Sequence, residues 1–336
     1  MTTHNRKLRL GLTLLGLLIC CAVFADFLAV YDPIAQDREH YFAPPTKIHF
    51  ADAESRWHIR PFVYAEDKQQ TPLRFFVAGA SYRVFGLIPS QTHLLGVDEP
   101  GRLFILGSDG LGRDVFSRLL YGARMSLTTA AMALLISLPL ALLVGSLSGF
   151  YGGKTDFISM RAIELFLALP ALYLVIALRS ALPLSLPPDK VFFAMVTVIA
   201  LFGWAALARI IRGATLSIRE RDFVLAAKAI GSTDARIIVQ HILPNLTAVT
   251  LTQAALAAPG YILAEVTLSY LGLGVPEPLP SWGGMLASVG GVQQLSAFWW
   301  NLSPGAAIFI TSLAFYLLAE GLREIYDSRE NTNTQP

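Results

Sequence analysis

The sequence predicts an all-α polytopic membrane protein, with six transmembrane helices and a small, partly β external insertion after the first. Three observations carry that expectation. The 336 residues are 54% apolar and 15% charged, with mean hydropathy +0.53; a soluble domain is about one quarter charged. Six segments, about 10–30, 125–149, 158–178, 191–211, 247–271 and 303–322, reach the ~20 apolar residues that cross a bilayer. Lysine and arginine concentrate in alternate connections, as the positive-inside rule requires.

Arg6, Lys7 and Arg9 precede the first apolar segment, as in a signal peptide. The stretch is longer than a usual signal core, and no small-x-small cleavage site follows before Asp32-Pro33. A retained anchor with a cytoplasmic N-terminus is expected. Cys20 and Cys21 are adjacent, lack metal-ligand spacing and read as apolar packing residues. Asp26 falls near the outer end of this span.

Residues 1–30 thus form the N-terminus and first span, and 31–124 an external insertion with charges of both signs. Alternation in FFVAGASYRVFGL predicts short strands. His49 and His58 lie in this insertion, either contacting a partner or simply packed or solvated. It ends in GSDGLGRDVFSRLLYG, whose glycines with Asp109, Arg113 and Asp114 predict a turn into an amphipathic helix along the outer interface. Residues 125–325 form a core of five spans with a cytoplasmic loop at 212–246, and 326–336 form a disordered tail.

Six spans place 150–157, 212–246 and the tail inside. The 212–246 loop holds Arg212, Arg219, Arg221, Lys228 and Arg236, while the outer loops at 179–190 and 272–302 hold only Arg179 and Lys190 as cations. Charge and span count agree.

SGFYGGKT (148–155) ends like a phosphate-binding loop, but Ser148 replaces the first glycine and a membrane span replaces the buried strand. A tight turn explains it. No serine elbow, His-Glu-x-x-His or paired-cysteine motif appears, so no catalytic or metal site is expected. A net charge of +2, with no basic stripe among stacking aromatics, excludes a nucleic-acid partner. Glu164 pairs at helical spacing with Arg161. Glu265 is the deepest acid, either lining a pathway or bracing the bundle through a hydrogen bond to a neighbouring helix. Pro170 and Pro259-Gly260 interrupt the third and fifth spans.

The segment DFVLAAKAIGSTDARIIVQHILPN (222–245) reads as two short amphipathic helices hinged at Gly231-Ser232. Gly231 suits the left-handed residue that ends a helix, Ser232 or Thr233 caps the next, and Asp234 favours its first turn. Pro244 directs the exit into the fifth span. Phe223, Ala226, Ala227 and Ile230 make a small apolar face for a protein groove or for lipid.

This segment resembles the cytoplasmic "EAA" loop of binding-protein-dependent ABC importer permeases, through Ala226, Ala227, Gly231, His241, Ile242, Leu243, Pro244 and Asn245. LSYLGLGVPEPLPSWGGML (268–286) resembles the outer-loop signature of the dipeptide/oligopeptide/nickel subfamily, with Leu271, Gly272, Gly274, Ser281, Trp282 and Gly283. GSDGLGRDVFSRLLYGARMSL (107–127), with Gly107, Asp109, Gly112, Arg113 and Asp114, and GFYGGKTDFISMR (149–161) resemble flanks of that subfamily's second span. The likeness covers most of 1–35 and 105–325 and fits a C-type permease. The longer 40–105 stretch resembles extended microcin C-like and oligopeptide variants.

The resemblance implies the type I ABC importer permease fold in a bacterial inner membrane, with both termini cytoplasmic. It implies a homologous second permease subunit, two ATPase subunits and an external solute-binding protein, all meeting at the lipid bilayer. ATP and magnesium would be held by the ATPases, leaving no cofactor in this chain. Asp222, Phe223, Leu225, Ala226, Ala227, Gly231, Ser232, His241, Leu243 and Pro244 would form the ATPase-coupling loop. Leu225 departs from the family, which commonly has glutamate there; either the groove is more apolar or Asp222 or Glu220 substitutes. Two rival functions stand beside the permease. An intramembrane enzyme would need converging catalytic residues within spans, and a membrane-anchored receptor or scaffold would use 31–124 and not need the signature at 268–286.

Overall fold

The computed structural model describes residues 4–52, 54–65, 69–84, 87–181, 183, 185–289 and 292–333. The chain divides into two compact units. One comprises Met1–Leu15, Thr128–Leu268 and Ile310–Pro336, the other Gly16–Leu127 and Ser269–Phe309.

Helix α1 (His4–Val23) is followed by the short α2 (Ala25–Leu28), so the first predicted span bends at Phe24 rather than running unbroken to residue 30. Four strands follow: β1 (His49–Ala51), β2 (Trp57–Tyr64), β3 (Gln70–Val84) and β4 (Ile88–Val97). Next come α3 (Val115–Tyr151), α4 (Gly153–Ala168), α5 (Ala171–Ala181), α6 (Pro188–Ile218), α7 (Asp222–Ala229) and α8 (Asp234–Ile237). A π-turn (Ile238–Ile242) leads into α9 (Leu243–Tyr270), then α10 (Trp282–Ala287), α11 (Val292–Ala297), a 3₁₀ turn (Trp299–Leu302) and α12 (Ser303–Asn333).

Among the described residues four helical runs are long and apolar enough to cross a membrane: Val115–Tyr151, Pro188–Ile218, Asp234–Tyr270 and Trp299–Tyr326. The third predicted span is instead split into α4 and α5 at Leu169-Pro170. Leu169 is extended (φ −72°, ψ 128°), as the clash between a proline ring and the preceding residue dictates. Pro259 does not break α9; neighbouring turns of a long apolar helix absorb one missing donor. The interfacial helix predicted before residue 125 is also absent as a separate element. Residues 115–124 are the first turns of α3, whose Ser117 and Arg118 are buried against loop backbone rather than exposed along one face. The tail predicted to be disordered continues α12 through Asn333, because 326–333 contain neither proline nor glycine; the last three residues of that expectation lie outside the described ones.

In the first unit, α3 and α6 approach closely at Gly145 and Gly149, one helical turn apart. A side chain at Gly145 would meet the Ala208 carbonyl at 2.6 Å, and one at Gly149 would meet Thr215 Cβ at 2.6 Å. Small residues at i and i+4 allow such contact, which in lipid stabilises by packing rather than by expelling water. The surrounding core holds Ile163, Trp204, Ile211, Ile237, Ile242 and Leu246.

In the second unit the sheet order is β1-β2-β3-β4, antiparallel throughout. Val63, Leu73, Leu103 and Val30 form its core. His93 on β4 ties this sheet to the end of α2, with Nδ1 2.8 Å from the Ala29 carbonyl and Nε2 2.9 Å from that of Ala80. The expected β content of the insertion is present. His49 stacks on Phe62, and His58 meets Asp52 at 3.2 Å, so both are engaged within the sheet.

Candidate functional site

Helix α7 begins with Asp222 in its first turn and Lys228 in its last, each complementing the helix dipole. Gly231 has φ +81°, the left-handed value its sequence position predicts. The Ser232 N–H donates to the Ala227 carbonyl and the Gly231 N–H to that of Lys228, both at 3.0 Å. This pair of bonds is a Schellman motif, which closes the last carbonyls of α7.

The second predicted helix is not a separate one. Thr233, not Ser232, occupies the N-cap position of α8, without a side-chain cap hydrogen bond. From Asp234 the helix continues through the π-turn into α9 as one run to Tyr270. Pro244 therefore lies inside this run rather than at its start. The wider π-turn just before it accommodates a residue that cannot donate to position 240 and whose ring crowds that carbonyl.

The apolar face of α7 divides. Val224 and Ala227 are buried in the chain's own core, beside Phe150, Ile218 and Ile237. Ala227 thus faces inward, a correction to its expected place on a docking face: residues three apart on a helix share a side. Phe223, Leu225, Ala226 and Ile230 are exposed, Ile230 at 83%. His241 tilts toward Phe223 with ring centres 6.2 Å apart, Leu243 is partly buried against the core, and Asn245 Nδ2 donates to the His241 carbonyl at 2.7 Å.

The 148–161 segment supports α7. Lys228 Nζ lies 4.9 Å from the Phe150 ring centre, and Arg219 Nη1 donates to the Gly149 carbonyl at 3.0 Å. Asp156 accepts from Ser148 Oγ and from Arg212 Nη2, both at 2.5 Å, and also from Arg212 Nε. The Arg212 guanidinium holds the Asp156 carboxyl below its ordinary range. The glycines of the phosphate-loop lookalike make the turn, with φ +64° at Gly152 and +53° at Gly153. Sequence reasoning assigned Arg212, Arg219 and Lys228 only to orientation and did not single out Asp156 or Phe150; an aspartate next to an apolar span was the available signal.

The second unit brings the 107–127 and 268–286 signatures together. Gly107 (φ +71°) and Gly112 (φ +74°) bound a turn in which Asp109 Oδ1 accepts from the Leu111 and Arg113 N–H groups at 2.8 and 3.0 Å. Asp109 Oδ2 takes Arg113 Nε at 2.7 Å. Arg113 and Arg118, 4% and 1% exposed, reach Glu277 of the other signature at 2.9 and 3.3 Å. Trp282 Nε1 donates to the Leu119 carbonyl at 3.1 Å, and a side chain at Gly122 would meet its ring at 2.9 Å. Ser281 caps α10 through the Gly284 N–H, Gly283 is buried, Gly272 turns with φ +74°, and Gly274 packs on Ser269. Leu271 is exposed. Arg118 and Glu277 had not been singled out either.

Asp114 begins α3 and accepts the Ser117 N–H and Oγ–H on Oδ2 at 2.8 and 2.5 Å. Burial pushes its carboxyl up to about 6. Ser117 Oγ in turn receives the Val30 and Tyr31 N–H groups, both at 3.1 Å.

Glu265 on α9 is 4% exposed and engaged in a polar interaction. Its neighbours Ala264, Thr267 and Leu268 line an apolar cleft of about 470 Å³ with Tyr261 and Phe202, while Glu265 is not among the lining residues. Arg161 and Glu164 pair at 2.6 Å on the surface of α4. Among the described residues no cluster of histidine, cysteine or carboxylate side chains could hold a metal ion.

Residues 141–332 match the family described as "Binding-protein-dependent transport system inner membrane component". The chain is 38% identical to the oligopeptide transport system permease protein OppC of Bacillus subtilis, over 71% of this chain and 77% of that one. It is also 38% identical to the dipeptide transport system permease protein DppC of the same organism, over 72% and 71%. Similarity to the di/tripeptide transport system permease protein DppC of Pseudomonas aeruginosa is 31% and extends over 97% of this chain and 89% of that one.

Proposed function

This chain belongs to the binding-protein-dependent transport system inner membrane component family, and from that membership we propose that it is one of two permease subunits of an ATP-driven peptide importer. The peptide class follows from the names of the relatives, which span dipeptide, di/tripeptide and oligopeptide permeases. The likeness to the di/tripeptide permease extends over 327 residues and so includes the β insertion. That coverage supports reading the insertion as part of the transporter rather than as an appended receptor.

Six spans are proposed: the four long helical runs, α1 with α2, and the α4–α5 pair broken at Pro170. Both termini and 212–246 then face the cytoplasm and the β insertion faces outward, where a solute-binding protein delivers the ligand. Two separate ATPase subunits supply the motor and hold ATP and magnesium.

The observation that carries the coupling reading is the two-sided character of α7. Its Val224 and Ala227 are packed into the chain's own core, while Phe223, Leu225, Ala226 and Ile230 present an exposed apolar side. A helix held on one face and open on the other can pass displacement from a docked subunit to α3, α6 and α9.

Uptake of a labelled tripeptide by cells lacking this chain and complemented with it tests the reading. ATP-dependent uptake restored by the full chain is expected. Restoration by residues 1–124 alone would instead favour a membrane-anchored receptor.

A further inference from the structure

The second unit contains a cleft of about 370 Å³ that neither signature explains. Its lining includes the charged Asp37, Arg38, Glu39, Arg102 and Asp114 and the aromatic Tyr31 and Phe104. That volume is at the lower end for small-molecule sites.

The charges around it are unevenly matched. Asp37 is committed, with His40 Nδ1 at 2.9 Å and Arg102 Nε at 3.6 Å. Asp114 is 2% exposed, and its Oδ2 is taken by Ser117. Its Oδ1 is buried and has no hydrogen-bond partner among the described residues. A carboxylate oxygen left so bears an uncompensated desolvation penalty, so a donor reaching it from the cleft gains more than one meeting a solvated acid. At the rim Arg38 is exposed and makes no ion pair or hydrogen bond among the described residues. Tyr31 and Phe104, with ring centres 5.7 Å apart, supply aromatic surface to the same cleft, which favours a cation.

We propose that this cleft binds a small zwitterion, a free amino acid or dipeptide, with its ammonium group donating to Asp114 Oδ1 and its carboxylate held by Arg38. The buried Asp114 Oδ1 and the exposed Arg38 and Glu39 are left unmatched among the described residues; a ligand bearing one charge of each sign completes Asp114 and Arg38, while Glu39 stays exposed at the rim. Mg²⁺ or a similar cation fits less well, because the acidic side chains do not converge in a ligating group. The site does not depend on the transport reading, since it would bind its ligand whatever the core carries.

Calorimetric titration of the purified full-length chain tests it, with dialanine, N-acetyl-dialanine and ethylamine as probes. Dialanine is expected to bind in about the millimolar range, and acetylation, which removes the ammonium charge, to abolish binding. Asp114→Asn keeps an oxygen for the Ser117 cap and should weaken dialanine about tenfold or more. Arg38→Ala, an exposed substitution, should weaken dialanine and leave ethylamine unchanged. Ethylamine equal to dialanine in the wild-type chain would overturn the zwitterion assignment. Undiminished binding of the acetylated probe, or of dialanine to a folded Asn variant, would overturn the site. No dialanine binding to the wild-type chain would overturn it as well, while leaving the uptake test untouched.

Discussion

Lys228 holds its ammonium 4.9 Å from the centre of the Phe150 ring, joining the short helix α7 to the end of the 37-residue helix α3. The contact uses a charge that sequence reading assigned only to orientation. An exposed cation–π contact contributes about 0.5–1 kcal/mol, enough to shift the position of α7 about two- to fivefold. Lys228→Met keeps the aliphatic stem and removes the attraction. We expect peptide uptake per ATP hydrolysed in proteoliposomes to fall by about that factor. An unchanged ratio would mean that α7 moves α3 by packing alone.

Gly231 is the residue on which the Schellman closure depends. There is open space around it, so a side chain meets no clash; the cost is its φ of +81°. A non-glycine residue there loses about 1 kcal/mol, and aspartate adds a negative charge at the negative end of α7. Gly231→Asp is expected to abolish ATP-driven uptake while membrane insertion stays normal. Gly231→Asn, which tolerates the left-handed region and carries no charge, should retain a substantial part of transport. Normal transport by the Asp variant would sink the coupling assignment.

Leu225 is half exposed at the position where the loop pattern it resembles commonly has glutamate. Because it touches little within the chain, Leu225→Glu should change thermal stability by no more than about 0.5 kcal/mol. On an apolar docking side the new carboxylate must be desolvated, so uptake should drop while the chain still folds. Uptake that rises instead would point to a polar groove in the ATPase.

Asp109 and Glu277 serve the same two arginines unequally. Asp109 is nearly buried against Arg113, whereas Glu277 is 55% exposed. Asp109→Ala leaves a buried guanidinium poorly matched and should cost about 3–5 kcal/mol. Glu277→Gln should cost about 1 kcal/mol, because solvent already screens that end. Thermal unfolding in detergent separates the two, and equal losses would mean that the network acts as one unit.

What the sequence made legible follows from how local each cause is. The left-handed turn at Gly231 depends on one residue lacking a side chain, and the break at Leu169-Pro170 on one ring; both were readable. The α3–α6 approach at Gly145 and Gly149 was readable in principle from a small-xxx-small pattern, but the facing residues lie about sixty positions later, and spacing alone does not name them. Arg118 and Glu277 are 159 residues apart, so their pairing exists only once the fold brings the signatures together. Ala227 was placed on the wrong side because an eight-residue helix with apolar residues all round has no face that periodicity can single out. The second helix of the hinge was misread because a π-turn lets Pro244 sit within a run that proline ordinarily ends.

Asp114 supplies a pH test of the buried site. Its folded carboxyl titrates at about 6 because of burial, against an ordinary 3.8. The folded state therefore holds this proton more tightly than the unfolded state does. The resulting stability is fully present below pH 3.8 and lost as pH rises through about 6. At 1.36 kcal/mol per unit the difference amounts to about 3 kcal/mol. Asp114→Asn cannot ionise and still offers an oxygen to the Ser117 N–H. In amine-free buffer its melting temperature relative to wild type should therefore rise between pH 4.5 and pH 7, on the order of the whole titration window, and level off above it. A difference that stays flat across that range would mean that Asp114 ionises as an ordinary carboxylate, with water reaching Oδ1.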